Sequence, residues 1–161
     1  MGKPVHVDGL DPNSYQQDKR ILELIRMTRE NGCFSVDVGD IPDLVPALAV
    51  LACSCRETSI IENAGRLRMK ESDRLFTVAE MVRNLGGNVE ERPDGLTISG
   101  TGELRGGTIE SYNDHRIAMA AAIASVICRE PVVIRDTGAV AKSYPHFFED
   151  FKKLGGQVYG V

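Results

Sequence analysis

The sequence predicts an α/β fold in which one supersecondary unit, of the order β-α-β-α-β-β, recurs. Segments with strand alternation and segments with helical periodicity take turns along the 161 residues. The same order returns after about 70 residues, which suits a supersecondary unit rather than a solenoid repeat. Both rounds contain an acidic turn (Asp43; Asp114), a turn with a lysine (Lys70; Lys142) and a helix that ends in Leu-Gly-Gly. Since equivalent strand-to-helix turns of such units lie toward one end of a domain, we expect a ligand site there.

Composition places the chain among globular proteins and argues against two classes of function. Apolar residues make up 42% and charged residues 26% of the sequence, as in a folded domain. A net charge of −4 without basic runs disfavours binding to nucleic acid or to a membrane surface. No apolar run approaches the roughly 18 residues of a membrane span, and we expect no signal peptide. The four cysteines lack zinc-ligand spacing, so we expect no metal and a cytoplasmic protein.

The first predicted elements form an incomplete round. Residues 5–7 have a strand pattern. A helix capped by Ser14 or Asp18 is predicted to run to about Arg29, and the following Asn-Gly stops it at Gly32.

The next round contains every element of the unit. Its first helix is almost wholly apolar and is therefore predicted to be buried on most of its sides. The turn Pro-Asp-Gly at 93–95 predicts a β-hairpin. The predicted elements are a strand at 34–38, a helix at 44–55, a strand at 58–61, a helix from about 72 to 85 and a hairpin of 89–91 with 96–98.

The last round repeats the order with a second apolar, alanine-rich helix. The predicted elements are a strand at 108–110, a helix at 117–128, a strand at 132–134, a helix that ends at Leu154 and a final strand that contains Val158.

Residues 66–75 gather cations and acids at the junction between a strand and a helix. Ser72 and Asp73 are good N-cap types, so the helix is predicted to begin there. A helix N-terminus already carries a partial positive charge, so cations near it are explained by a bound anion better than by helix stability. A solvated charged turn explains one such stretch as well. The recurrence of the pattern favours the anion site.

Individual residues of these turns have both structural and functional interpretations. Lys70 and Arg74 are spaced i, i+4 and would share a face of a helical turn. Arg116 follows the candidate N-cap Asp114, where the helix dipole disfavours a cation by about 0.3–1 kcal/mol unless an anion is bound. Asp43 precedes the apolar helix and could be a simple N-cap.

Four ordered blocks resemble 5-enolpyruvylshikimate 3-phosphate synthase, the enolpyruvyl transferase of the shikimate pathway. They are DIPDLVPALAVLA at 40–52, RLRMKESDRL at 66–75, YNDHRIAMA at 112–120 and AKSYPHFFEDFKKLGG at 141–156. The resemblance implies the enolpyruvyl transferase fold, an inside-out α/β barrel with two lobes of three units each and the active site between them. This chain resembles the C-terminal part of one lobe. It differs in a shorter connection between Cys33 and Val36, and in Arg66, where many relatives carry a substrate-binding Asn.

The expected domain organisation follows from this resemblance. We predict one globular domain over 1–161, an incomplete lobe that consists of a partial unit at about 1–35 and units at about 36–100 and 104–161.

The resemblance implies transfer of the enolpyruvyl group of phosphoenolpyruvate to the 5-hydroxyl of shikimate 3-phosphate, with release of phosphate and without metal or organic cofactor. Asp43 would accept the hydroxyl proton, Glu71 would protonate the methylene carbon, and Lys70 would reach the attacked hydroxyl and the phosphate. His115 could equally be structural. The residues implied to bind substrate are Lys70, Arg74, His115, Arg116 and Lys142.

Three functions fit these expectations. The chain could be the catalytic C-terminal part of the synthase, a non-catalytic anion-binding module, or a half-protein that needs a separately encoded partner lobe. Positioning and electrostatics supply most of the rate of such a reaction, and half of the groups belong to the missing lobe. We therefore expect no activity from this chain alone.

Overall fold

The computed structural model describes residues 8, 9, 11 and 13–160, and these contain two β-sheets and five α-helices. The elements are, in order, α1 (Ile21–Asn31), β1 (Ser35–Asp37), α2 (Val45–Cys53), β2 (Thr58–Glu62), α3 (Arg74–Asn84), β3 (Asn88–Arg92), β4 (Gly95–Ser99), β5 (Gly107–Glu110), α4 (His115–Ala124), β6 (Val132–Arg135) and α5 (Phe147–Lys153). The strand predicted at 5–7 lies outside the described residues. None of the described helices is long and apolar enough to cross a membrane.

The first sheet has the strand order β1-β2-β4-β3. β1 and β2 are parallel, and α2 forms the crossover between them. β3 and β4 form an antiparallel hairpin in which Arg92 lies opposite Gly95, so the hairpin predicted from the Pro-Asp-Gly turn is confirmed. A side chain at Gly95 would clash with the carbonyl oxygen of Ile61 on β2. Glycine therefore allows β4 to lie directly against β2.

The second sheet contains only the parallel pair β5 and β6 in the described part of the chain. The α4 helix connects these strands, as α2 connects β1 and β2. Val158 lies outside every strand between residues 13 and 160, so the prediction of a final strand there was wrong. A strand pattern alone does not form a strand, because the backbone groups need a neighbouring strand to bind.

The predicted end of α1 is confirmed, but its predicted start is wrong. Gly32 ends α1 in the left-handed conformation with φ 73°, as predicted. The predicted caps Ser14 and Asp18 do not begin this helix: α1 starts at Ile21 after a 3-10 turn, and no side chain caps either segment. Tertiary packing decides this start, since Leu24 is the buried residue of α1.

The two apolar helices α2 and α4 pack against each other in the centre of the molecule, and α3 contacts both of them. Seven residues of α2 and seven of α4 are buried, so both are enclosed on most sides as predicted. The buried residues of α4 include five alanines, whose small side chains allow a close approach of backbones. This packing brings the N-terminal ends of α2, α3 and α4 together, and the candidate site lies there.

Candidate active site

Two of the three helices at the site begin with the carboxylate that the sequence predicted. Asp73 caps α3 by accepting a hydrogen bond of 3.2 Å from the Phe76 N–H. Asp114 caps α4 by accepting one of 2.9 Å from the Arg116 N–H. These caps fix the direction of both helices at the site.

Asp43 lies in the 3-10 turn before α2 and is the meeting point of three cations. Its Oδ1 is 2.9 Å from Arg74 Nη1 and 3.5 Å from Lys70 Nζ, and its Oδ2 is 2.9 Å from Arg116 Nη2. No side chain caps α2 in the described structure, so the interpretation of Asp43 as a simple N-cap was wrong. Its carboxylate instead forms charge-assisted contacts with cations of other segments.

The charge state of Asp43 results from two opposing influences. Partial burial of the side chain raises the pKa of the carboxyl, but the positive charges of Arg116, Lys70 and Arg74 together outweigh burial and lower it below the ordinary 3.8. Asp43 is therefore an ionised acceptor at neutral pH.

Arg74 is completely buried, with 0% of its side chain exposed, and each guanidinium nitrogen meets a carboxylate. Nη1 donates to Asp43, Nη2 donates to Glu71, and Nε donates to Asp114 over 2.9 Å. Asp114 is equally buried. A buried charge is tolerated only with such partners. Arg74 thereby joins the acidic groups that lie at the starts of α2, α3 and α4 into one network.

Lys70 and Glu71 lie in the segment before α3 rather than on it. Lys70 has an extended backbone (φ −92°, ψ −160°), so the prediction that Lys70 and Arg74 share a helical face was wrong. The two cations still meet, because both side chains point to Asp43 Oδ1. Lys70 remains 36% exposed and Glu71 43%, so both can reach a ligand.

The start of α4 contributes Arg116 and His115. Arg116 is one-third exposed while it binds Asp43. His115 is buried, and its Nδ1 has no hydrogen-bond partner among the described residues. An unpaired buried nitrogen is costly.

Lys142 contacts a different group. Its Nζ donates to the backbone carbonyl of Asn113 over 2.8 Å and to the Asn113 side-chain oxygen over 2.7 Å. Asn113 directly precedes the cap Asp114. The structure thus brings Lys70, Arg74 and Arg116 together on Asp43 and holds Lys142 at the adjoining turn.

The turn before α4 has an unusual backbone that the sequence reasoning missed. Tyr112 and Asn113 both adopt the left-handed conformation with φ 55°, which side chains rarely adopt. The Ser111 hydroxyl stabilises the turn: it accepts from the Asn113 N–H and donates to the Asp136 carbonyl. Asn is one of the residue types that tolerate this conformation, so the Asn-Asp pair was the available signal.

Asp114 and Arg68 have wider roles than the sequence indicated. Asp114 was expected to cap α4, but it also accepts hydrogen bonds from Arg74 and from the Ser72 hydroxyl. Arg68 received no role, yet it pairs with Asp73 and Glu91. The contacts of Asp114 with Arg74 and Ser72 have no local sequence signal, because the partners lie more than twenty residues apart. The same holds for the contact of Arg68 with Glu91.

The family of the chain follows from its similarity to known proteins. The sequence model of EPSP synthase (3-phosphoshikimate 1-carboxyvinyltransferase) matches residues 2–151. The chain belongs to the EPSP synthase family. It is 43% identical to a 3-phosphoshikimate 1-carboxyvinyltransferase of Clostridium novyi and 42% identical to one of Clostridium kluyveri, over 97% and 98% of this chain. An EPSP synthase structure from Acinetobacter baumannii superposes with a TM-score of 0.72 and 34% identity over 74% of this chain.

The chain spans about two fifths of the length of these curated relatives, 39% and 41% respectively. It covers 28% of the Acinetobacter baumannii structure. The predicted α/β fold of the enolpyruvyl transferase family is confirmed.

Proposed function

We propose that this chain supplies one side of the active site of a 3-phosphoshikimate 1-carboxyvinyltransferase. The enzyme transfers the enolpyruvyl group of phosphoenolpyruvate to the 5-hydroxyl of shikimate 3-phosphate and releases phosphate. The convergence of Lys70, Arg74 and Arg116 on the ionised Asp43 carries the proposal. Such a reaction needs a base for a hydroxyl, an acid for a carbon and cations for two anionic substrates. This cluster contains every one of these groups.

Asp43 is the proposed base. In the addition step, the substrate oxygen bonds to the central carbon of phosphoenolpyruvate and its proton passes to the Asp43 carboxylate. The lowered pKa of Asp43 keeps this acceptor ionised before the reaction, and Lys70 Nζ beside it can orient the same hydroxyl.

Glu71 is the proposed acid. Its carboxylate would take up a proton when the anionic substrates bind, and would give that proton to the methylene carbon of phosphoenolpyruvate as the new carbon–oxygen bond forms. In the elimination step, the bond to phosphate breaks, the methyl group returns its proton to the Glu71 carboxylate as the double bond re-forms, and Asp43 passes its proton to the departing phosphate. The bond from Arg74 aims the Glu71 carboxyl, while its exposure leaves one side open to substrate.

The charges at the site indicate how the substrates would be held. Asp43, Glu71 and Asp114 already neutralise Arg74, so a phosphoenolpyruvate contact with Arg74 requires one carboxylate to give up its bond. The groups with free capacity lie at the rim and are proposed as the first substrate contacts. They are the Lys70 ammonium, the exposed part of Arg116, and Lys142, which donates to neutral oxygens. His115, whose unpaired Nδ1 is buried, is proposed to contact substrate only after the surrounding side chains move.

We propose that this chain alone has no turnover and acts with the groups of a second lobe. Positioning and preorganised charge supply most of such a rate enhancement, and the chain spans two fifths of the relatives. The division into a partial unit and two units, and the cytoplasmic location, remain predictions.

The test compares this chain with a hybrid enzyme, in which the chain replaces the matching region of the Clostridium novyi relative. We expect the hybrid to release phosphate from phosphoenolpyruvate only when shikimate 3-phosphate is present, and the chain alone to release none. Turnover by the chain alone would contradict the need for a second lobe. A folded hybrid without turnover, beside an active Clostridium novyi enzyme, would contradict the proposed function.

A further inference from the structure

Arg68 ties the segment that carries Lys70 and Glu71 to the β3–β4 hairpin. Its Nε donates to the Pro93 carbonyl over 2.9 Å and its Nη2 to the Arg92 carbonyl over 2.8 Å. Its Nη1 donates to Asp73 over 2.9 Å and to Glu91 over 3.0 Å. The guanidinium thus spans two carbonyls of the hairpin turn, a carboxylate of β3 and the cap of α3.

The segment between Arg68 and Asp73 depends on these contacts for its position. Among the described residues, no backbone carbonyl accepts a hydrogen bond from the N–H groups of residues 70–72. The Arg68–Asp73 pair closes this segment at its base. Asp73 is in turn fixed by its cap on α3. The Ala64 N–H donates to the Asp94 carbonyl over 2.7 Å. The chain that leads from β2 into this segment is therefore held by the same hairpin turn.

An exposed ion pair between two side chains contributes little to stability. Arg68 differs because its side chain is only 32% exposed and its planar fork meets four acceptors on three elements. A lysine has one point of charge and cannot span the same acceptors. The specific consequence of losing Arg68 is a loose segment, because the hairpin and α3 have their own backbone hydrogen bonds.

We propose that Arg68 is a positioning residue for the transfer reaction: it holds Lys70 and Glu71 against Asp43 and Arg74 without touching substrate. This inference rests on the proposed function for the chemistry that is positioned. The position itself is a property of this chain and can be measured on it directly.

The first experiment measures backbone order in the chain by ¹⁵N relaxation for the unsubstituted chain, Arg68→Met and the control Arg83→Met. Arg83 pairs with Glu80 on α3 and is 41% exposed, so the control removes the same charge from the same region. In Arg68→Met we expect order parameters of residues 69–72 to fall from about 0.85 to below about 0.6. The order parameters of residues 75–82 in Arg68→Met, and those of residues 69–72 in Arg83→Met, should stay at the values of the unsubstituted chain. Equal order parameters in Arg68→Met and Arg83→Met would overturn the proposal, as would a loss spread over the whole chain.

The second experiment measures turnover of the hybrid enzyme. A displacement of about 1 Å at the reacting groups costs about 10²-fold, so Arg68→Met should lower kcat by about that factor and change KM for phosphoenolpyruvate much less. Arg68→Lys should restore only part of kcat. Equal kcat in Arg68→Met and Arg83→Met would overturn the positioning role. An inactive unsubstituted hybrid counts against the proposed function instead, and the order parameters then decide on Arg68.

Discussion

Lys70 and Lys142 lie in turns that the sequence predicts to be equivalent in two predicted units, at about 36–100 and 104–161, but their surroundings differ. Lys70 lies beside the carboxylate of Asp43, in a unit whose sheet has four strands and a hairpin that braces the turn. Lys142 binds the neutral oxygens of Asn113, in a unit with a two-stranded sheet in the described part of the chain. The comparison teaches that one local pattern yields two electrostatic states, a neutralised cluster and a cation bound to uncharged oxygens.

The largest effect is expected at the centre of the neutralised cluster. Arg74→Met leaves the buried Asp114 without a cation, and breaking a buried ion pair costs about 3–5 kcal/mol. We expect the free energy of unfolding in urea to fall by this amount. Arg135→Met removes an exposed pair with Glu110 from the second unit and is the matched control. A loss below about 1 kcal/mol in Arg74→Met would contradict the buried network.

The hairpin that distinguishes the first unit gives the next effect. Gly95→Ala places a methyl group against the Ile61 carbonyl, and overpacking of this kind costs about 1–3 kcal/mol. Gly138 in the second unit has no atom within 4 Å of the equivalent position, so Gly138→Ala should change the free energy of unfolding by about 0.5 kcal/mol at most. Equal effects of both substitutions would show that β4 does not lie against β2 as described.

The pH dependence of stability should distinguish the Asp43 cluster from the second predicted unit. The folded pKa of Asp43 is lowered, so its contribution to stability is complete above the unfolded pKa near 3.8 and is lost as pH falls through the folded value. Urea unfolding of Asp43→Asn should therefore lose less stability than the unsubstituted chain between about pH 5 and pH 3.

Asp150 in the second unit is the control for this measurement. Lys153 and Tyr144 donate hydrogen bonds that lower its pKa as well, but Lys153, the cation that pairs with it, is 72% exposed to water. Solvent screening makes such pairs weak, so Asp150→Asn should keep the acid dependence of the unsubstituted chain. A larger change in Asp150→Asn than in Asp43→Asn would refute the assignment of the strong electrostatics to the Asp43 cluster.

The smallest stability effects are expected at the two lysines themselves. Lys70→Met removes a partly exposed partner of Asp43 and should cost about 0.2–1 kcal/mol. Lys142→Met should cost about 0.5 kcal/mol at most. In the hybrid enzyme both should raise KM for phosphoenolpyruvate about tenfold, because each removes a charged hydrogen bond. An unchanged KM in Lys142→Met would remove Lys142 from the proposed substrate contacts.

Much of the fold was predictable because its signals are local. The apolar helices α2 and α4, the hairpin turn before Gly95 and the caps Asp73 and Asp114 each follow from a few adjacent residues. The starting residue of α1 and the strand at Val158 were wrong. Packing decides where a helix begins when no side chain caps it, and a strand exists only beside a partner.

The sequence by itself determined the two apolar helices, the hairpin, the turns that carry charge and, through four ordered blocks, the family. Only the tertiary structure decided that Asp43 binds cations instead of capping α2, and that Arg74 is buried among three carboxylates. Arg74 and Arg116 are 31 and 73 residues from Asp43 in the sequence. Their meeting depends on how α2, α3 and α4 pack, because a side chain's partner across such a distance is set by the shared core rather than by its neighbours in the chain.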